Sequence, residues 1–429
     1  MKNLLKQHLS GQIPLWREQM KLILEEQSGQ PVDQVKVLHL YRGLRGLRAI
    51  LCDTSSVDPQ QGLLIRGIPV LDLVDRSAEE VFFLLVTGQF PSETQLQDLH
   101  TQLKTRYSVP EWIWDMVRGF PRGMHPLAML SAAVLSLQGS SQFYYQHDVA
   151  AKTDRLWELC VEDALTLLAW MPVLAAGIYR IHFLHDQPIE PDPELGIVEN
   201  FARMLGLPRA DESLADLLRI FYIVHSDHDG GNVAQHCARL AGSAHSDLFF
   251  SIAASMGGLA GHLHGQATQL SVQFVQKILQ EFRGMPSEAL LKEHVTELIK
   301  AGVRIPGYGH AVLRAPDPRF KALHSFGQAH FPDDPLFQVA DRLARLVPPL
   351  FQQLKNISNP YPNIDAISGI TLFHYGMERT EFYSVMFACA QAMGTFAQNI
   401  IYHALRLPII RPSSLTTQEV LQLKHGQEE

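Results

Sequence analysis

His225-Ser226-Asp227-His228-Asp229-Gly230-Gly231-Asn232 and Gly261-His262-Leu263-His264-Gly265 bracket a run, residues 248–260, that holds no charged residue. A segment with no polar face at helical spacing reads as a helix buried on every side. Histidines at both ends of such a helix frame a site. His225 and His228 stand at i and i+3, on one face of any helix carrying both, and His264 lies among glycines that let backbone and ligand come close. The device recurs in Arg304-Ile305-Pro306-Gly307-Tyr308-Gly309-His310 and in Pro362-Asn363-Ile364-Asp365. Each puts a titratable residue just after a turn built on Gly or Pro.

The chain around these segments reads as helical. At 429 residues it exceeds one simple core, so two domains are expected. Ser77-Ala78-Glu79-Glu80 and residues 92–95 have the form of capping boxes, and helical segments follow at 127–137, 157–183 and 213–224. Strands do not alternate with helices, which predicts a mostly α protein with one small hairpin around Asp58-Pro59-Gln60-Gln61-Gly62. The apolar run 164–179, interrupted by Pro172, is shorter than the roughly 20 residues a bilayer needs, so it reads as a bent core helix and no membrane span is expected.

Net charge is −8 with no dense basic cluster, which argues against a nucleic-acid partner. Arg42, Arg45 and Arg48 are spaced by three, so on a helix they form one basic edge, either for phosphates or as a solvated face. The first residues combine Lys2 and Lys6 with Glu18, Glu25 and Glu26 and have no apolar stretch. Neither a secretory signal nor an acid-poor transit segment fits, so a cytoplasmic location is expected. Cys52, Cys160, Cys237 and Cys389 are far apart and read as ordinary thiols of a reducing compartment.

Six histidines between His225 and His264 first suggest a metal. There is no H-E-x-x-H arrangement and no paired cysteine, so none is expected. His236 and His245 read as satisfied imidazoles, whereas His228, His264 and His310 have Gly or Asp neighbours suited to a close ligand. Asp365 lies in an apolar, turn-bounded setting. A carboxylate of ordinary pKa, about 3.9, is a weak base. It can remove a carbon-bound proton only if the charge developing on the adjacent oxygen is stabilised, which a neutral imidazole N–H does. Asp plus two His is thus a kit for enolisation followed by attack on a carbonyl. Capping of the helix after Asp365 accounts for that residue equally well.

These residues resemble the citrate synthase family, specifically its eukaryotic-type branch. The family pattern H-S-D-H-E-G-G-N-V-S corresponds to residues 225–234, G-P-L-H-G to 261–265, P-G-Y-G-H-A-V-L-R to 306–314, D-P-R to 317–319 and P-N-V-D to 362–365. Similarity continues through 381–398 and Arg411-Pro412-Ser413. The resemblance implies a homodimer of helical subunits, each with a large domain of residues 1–265 and 377–429 and a smaller one of 266–376. It implies condensation of acetyl-CoA with oxaloacetate and water to citrate and CoA, the thioester being a substrate and no cofactor being needed. On the same resemblance Asp365 takes a methyl proton, His264 holds the thioester oxygen, and His310 polarises and protonates the keto oxygen. His228, Arg319 and Arg411 hold the acid, with Arg411 crossing from the other subunit. Arg45 and Arg314 contact CoA phosphates, and the loop with Gly307 and Tyr308 lies against the adenine.

Departures from the pattern gather in one place. Where the family has arginine in V-L-F-G-V-S-R-A-L-G, a third clamp on the acid, this chain has Gln391. The serine of N-V-S is Ala234, the proline before L-H-G is His262, and the asparagine after it is Thr268. Losing one member of a buried charged pair costs roughly 2–5 kcal/mol. Two alternatives therefore stay open beside the main reading: a paralogue using another acyl-CoA or 2-oxo acid, of the 2-methylcitrate synthase type, or a weakly active homologue that binds CoA or a dicarboxylate.

Overall fold

Ser77 and Ser92 open their helices as the sequence dictates. Each side chain accepts from the backbone N–H three residues on, and Glu80 and Gln95 reach back to the N–H of the capping serine, which satisfies two otherwise orphaned donors per helix. The resulting helices are Ala78–Thr87 and Glu93–Lys104. The computed structural model describes residues 3–310, 312–355, 357 and 359–423. Lys2, and Ala311 within the 306–314 motif, lie outside them.

The core forms around two long helices, Leu156–Tyr179 and Tyr383–Ala404, which pack against each other and are buried along almost their whole length. The first runs on through a π-turn, so Leu156–Leu184 is 29 residues, close to the expected 157–183 but, unlike the apolar run 164–179, long and apolar enough to cross a bilayer. In its most apolar window 89% is buried inside the protein, which makes it a core helix. Continuity through Pro172 shows that tertiary packing overrides the missing N–H there.

The hairpin forms where expected. Strands β1 (Ser55–Asp58) and β2 (Gly62–Ile65) pair antiparallel with Asp58 opposite Gly62, and a short third strand, β3 (Ile68–Pro69), joins them. Asp58 Oδ1 accepts from the N–H groups of Gln60 and Gln61, each at 2.8 Å, and so fixes the turn.

Three expectations are corrected. The helix Leu248–Leu259 packs on Val233–Ser243 and Pro126–Ser136, yet Phe250 and Gly257 on its other side are exposed. Absence of charge identified an apolar helix but not what covers its small-residue face. The arginines Arg42, Arg45 and Arg48 do not share a helix, because Val37–Tyr41 is only five residues and the chain then turns, with Leu44 left-handed at φ 57°. His225 and His228 do not share one either. The helix Ser213–His225 ends at the first, and the second lies in the connection to Val233–Ser243.

Candidate active site

A cavity of about 570 Å³ collects residues from the segments 225–232, 261–265, 304–310 and 362–365. Its lining includes Arg45, His228, His264, Arg304, Tyr308, His310, Arg319, Asp365 and Gln391, with Phe387 and Leu263 as apolar wall. Arg314 and Arg411 do not line it. The Arg314 guanidinium donates to the carbonyls of Val312 and Leu313, and Arg411 is exposed on the irregular segment after Tyr383–Ala404.

One side of the cavity is held by backbone. Tyr308 forms an isolated antiparallel bridge with Pro362, the Gly309 N–H donates to the Tyr361 carbonyl at 3.0 Å, and the Asn363 N–H donates to the Gly307 carbonyl at 2.8 Å. Gly307 has φ 77°, and a Cβ there would lie 2.6 Å from the Ala366 Cα, so this close approach needs glycine. The stitch carries His310 and Asp365 to the same cavity. Asn363, not Asp365, supplies the local cap, accepting from the Asp365 N–H at 2.9 Å. The reading of Asp365 as a cap fails, which leaves its carboxylate for other work.

Thr268 donates to Asp365 Oδ1 at 2.8 Å. Burial raises the Asp365 pKa above its ordinary value, and the Thr268 bond opposes that rise. His310 Nδ1 accepts from the N–H groups of Val312 and Leu313, both at 3.1 Å. Its neutral ring must then carry the proton on Nε2. Burial, followed by the nearby Arg319 charge, pushes the His310 pKa down to about 4, so the ring is neutral at neutral pH. Arg319 is 8% exposed and anchored on Asp317, which accepts from its Nε at 3.0 Å and its Nη2 at 2.8 Å.

The other side is held by side chains. Asn232 caps the helix Val233–Ser243, accepting from the Gln235 N–H at 3.1 Å, and donates through Nδ2 to the His228 carbonyl at 3.0 Å. Its Oδ1 also accepts from Gln391 Nε2 at 3.3 Å, while Gln391 Oε1 is buried without a partner. The two bonds to Asn232 fix its amide, and so fix which end of Gln391 faces it. His264 Nε2 is likewise buried and unpartnered. Burial, then the nearby His228, lowers the His264 pKa and favours the neutral ring. The rings of His228 and His310 are 5.8 Å apart, so the two sides meet at these imidazoles.

His225 also touches the cavity, but it stacks on Phe221, its Nδ1 lies 2.8 Å from the Phe221 carbonyl, and burial pushes its pKa to about 3. It is a core histidine. Among the described residues no three His, Cys, Asp or Glu groups converge as metal ligands. Sequence reasoning missed Phe387 as a wall, and it missed Asp227, a buried carboxylate that accepts from Thr54, Ser55, Gln235 and Gln398. Asp227 was visible only as one letter of a motif.

A helical protein whose cavity gathers a buried carboxylate, two neutral imidazoles and an anchored guanidinium is equipped for acid–base chemistry on an anionic substrate. Comparison with known proteins narrows that class. A family profile described as "Citrate synthase, C-terminal domain" matches residues 43–413. The probable mitochondrial citrate synthase of Glossina morsitans morsitans is 36% identical over 98% of this chain and 92% of its own length, and the mitochondrial citrate synthase 4 of Arabidopsis thaliana is 36% identical over 96% and 89%. The crystal structure of citrate synthase from Pyrobaculum aerophilum superposes with a TM-score of 0.78 at 27% identity, covering 88% of this chain and 92% of that one. The chain belongs to the citrate synthase family. The relatives also correct the cytoplasmic expectation, since both are mitochondrial by name and point to that compartment.

Proposed function

We propose that this chain condenses acetyl-CoA with oxaloacetate and water, giving citrate and CoA. The observation that carries the reading is the backbone stitch between residues 307–309 and 361–363, which holds His310 and Asp365 on one cavity with His264. Ionised Asp365 removes a methyl proton from the thioester. The unpartnered Nε2 of neutral His264 donates to the thioester oxygen as charge develops there. The enol carbon attacks the keto carbon of oxaloacetate, and His310 Nε2–H passes its proton to the keto oxygen. Water then cleaves citryl-CoA, releasing citrate and CoA. His228 and Arg319 hold the acid beside Gln391. Arg45 and Arg304, exposed at the cavity, meet the phosphates of CoA, Arg314 adds to them, and Gly307 and Tyr308 lie against its base.

We assign residues 266–376 to a smaller domain that closes on the remainder. In support, the helix Ala267–Glu281 packs against Pro335–Lys355 and Ser368–His374. A homodimer would cover the exposed small-residue face of Leu248–Leu259, and Arg411, outside its own cavity, would complete the partner's acid site. Mixing Arg411→Ala with Asp365→Ala subunits then recovers activity in hybrid dimers, and no recovery removes the shared site. For the reaction itself, CoA is released from acetyl-CoA only when oxaloacetate is present. Release independent of oxaloacetate, or none with it, contradicts the assignment.

A further inference from the structure

His228, to which the proposed function gives the acid, lies in the irregular connection between two helices, so something other than helix geometry must fix its ring. Both of its chain neighbours are held by one hydroxyl. Ser55 Oγ, at the start of β1, donates to Asp227 Oδ2 at 3.0 Å and accepts from the Asp229 N–H at 2.8 Å. Thr54 donates to the same oxygen of Asp227, while Gln235 and Gln398 donate to the other at 3.1 and 2.8 Å. Ser55 is 4% exposed and Asp227 1% exposed. A buried carboxylate satisfied by four side chains from three segments is a rigid anchor.

The hairpin that carries Ser55 is fixed at its far end to the opposite side of the cavity. The Arg314 N–H donates to the Pro59 carbonyl at 2.7 Å, and Gly62 packs so closely on the Pro318 ring that a Cβ would collide with it. Pro318 directly precedes Arg319. The hairpin therefore spans from the flanks of His228 to the chain segments carrying Arg319 and His310, three of the residues assigned to oxaloacetate.

We propose that Ser55 and Asp227 form a clamp that positions His228 for the acid, with the β1–β2 hairpin setting its distance from Arg319 and His310. Both are positioning residues acting through His228. This rests on the reading that His228 holds oxaloacetate.

The test is a double-mutant cycle on the full chain, read by oxaloacetate affinity and by the KM for acetyl-CoA. Ser55→Ala weakens oxaloacetate binding about tenfold, the scale of one lost hydrogen bond to a charged group, and leaves the acetyl-CoA KM unchanged. In a His228→Ala background the same substitution adds nothing, because its effect passes through the missing ring. Should the alanine variant fail to fold, Ser55→Cys keeps the volume with a weaker donor and carries the same cycle. Unchanged oxaloacetate affinity, equal weakening of both substrates, or full additivity with His228→Ala overturns the clamp. If the wild type itself shows no oxaloacetate-dependent CoA release, the functional reading falls and the clamp with it; normal wild-type turnover with an inert Ser55→Ala removes the clamp alone.

Discussion

The two sides of the cavity are built by different means. Around His310 and Asp365 the main chain makes the geometry, through the Tyr308–Pro362 bridge and the bonds joining Gly307 and Gly309 to Asn363 and Tyr361. Around His228 and Gln391 it is made by side chains, with Asn232 joining the two, and on this side two buried polar atoms, Gln391 Oε1 and His264 Nε2, have no partner. Buried polar atoms without partners are uncommon in folded proteins, and a ligand is one explanation for them. The backbone-built side is complete without substrate; the side built from side chains awaits one.

If that contrast is right, damage to the first side should stop chemistry, whereas changes at His228 and Gln391 on the second should tune affinity. His310→Gln should lower turnover about 10²- to 10³-fold, the loss seen when one positioned donor to a developing charge is removed, with oxaloacetate affinity changed far less. Steady-state kinetics beside calorimetric binding reads both. Gly307→Ala should follow at about 10²-fold, since a displacement of the stitch by an ångström misplaces both His310 and Asp365. It should also lower the melting temperature, because φ 77° and the Ala366 contact both disfavour a Cβ.

On the second side, Gln391→Arg places a cation in the acid subsite and should tighten oxaloacetate binding about tenfold, equivalent to about 1.4 kcal/mol, with faster CoA release. Weaker binding with a lower melting temperature would instead point to an acceptor with an uncharged group there. The smallest effect is expected from Thr268→Val. The Thr268 hydroxyl favours the ionised form of Asp365 against the burial that raises its pKa. Only the ionised form is a base, so activity is lost as pH falls through that pKa, and removing the hydroxyl should move the acid limb of the kcat/KM profile to higher pH. An unmoved limb would detach Thr268 from the base.

The same contrast explains what the sequence disclosed. Capping boxes at Ser77 and Ser92, the Asp58–Gly62 turn and the Gly- and Pro-bearing loops before His310 and Asp365 are local, and each stands where its chemistry placed it. The relation of His225 to His228 was misread, because a helix end between them cancels the i, i+3 geometry. Arg42, Arg45 and Arg48 failed for a similar reason, their spacing having meaning only on a helix longer than Val37–Tyr41. Ser55 gave no signal at all: its partners are more than 170 positions away, and nothing local distinguishes it from any other strand serine.

The central claim is that Asp365 is the base of a site that already holds its acid, and Asp365→Ala tests it most directly. Oxaloacetate binding by titration calorimetry and CoA release from acetyl-CoA should be measured on the same preparation. The account predicts oxaloacetate affinity close to wild type with CoA release reduced by about 10²- to 10⁴-fold, the contribution of a positioned general base. Wild-type CoA release in that variant, or loss of oxaloacetate binding alongside the activity in a protein that still melts cooperatively, would contradict it.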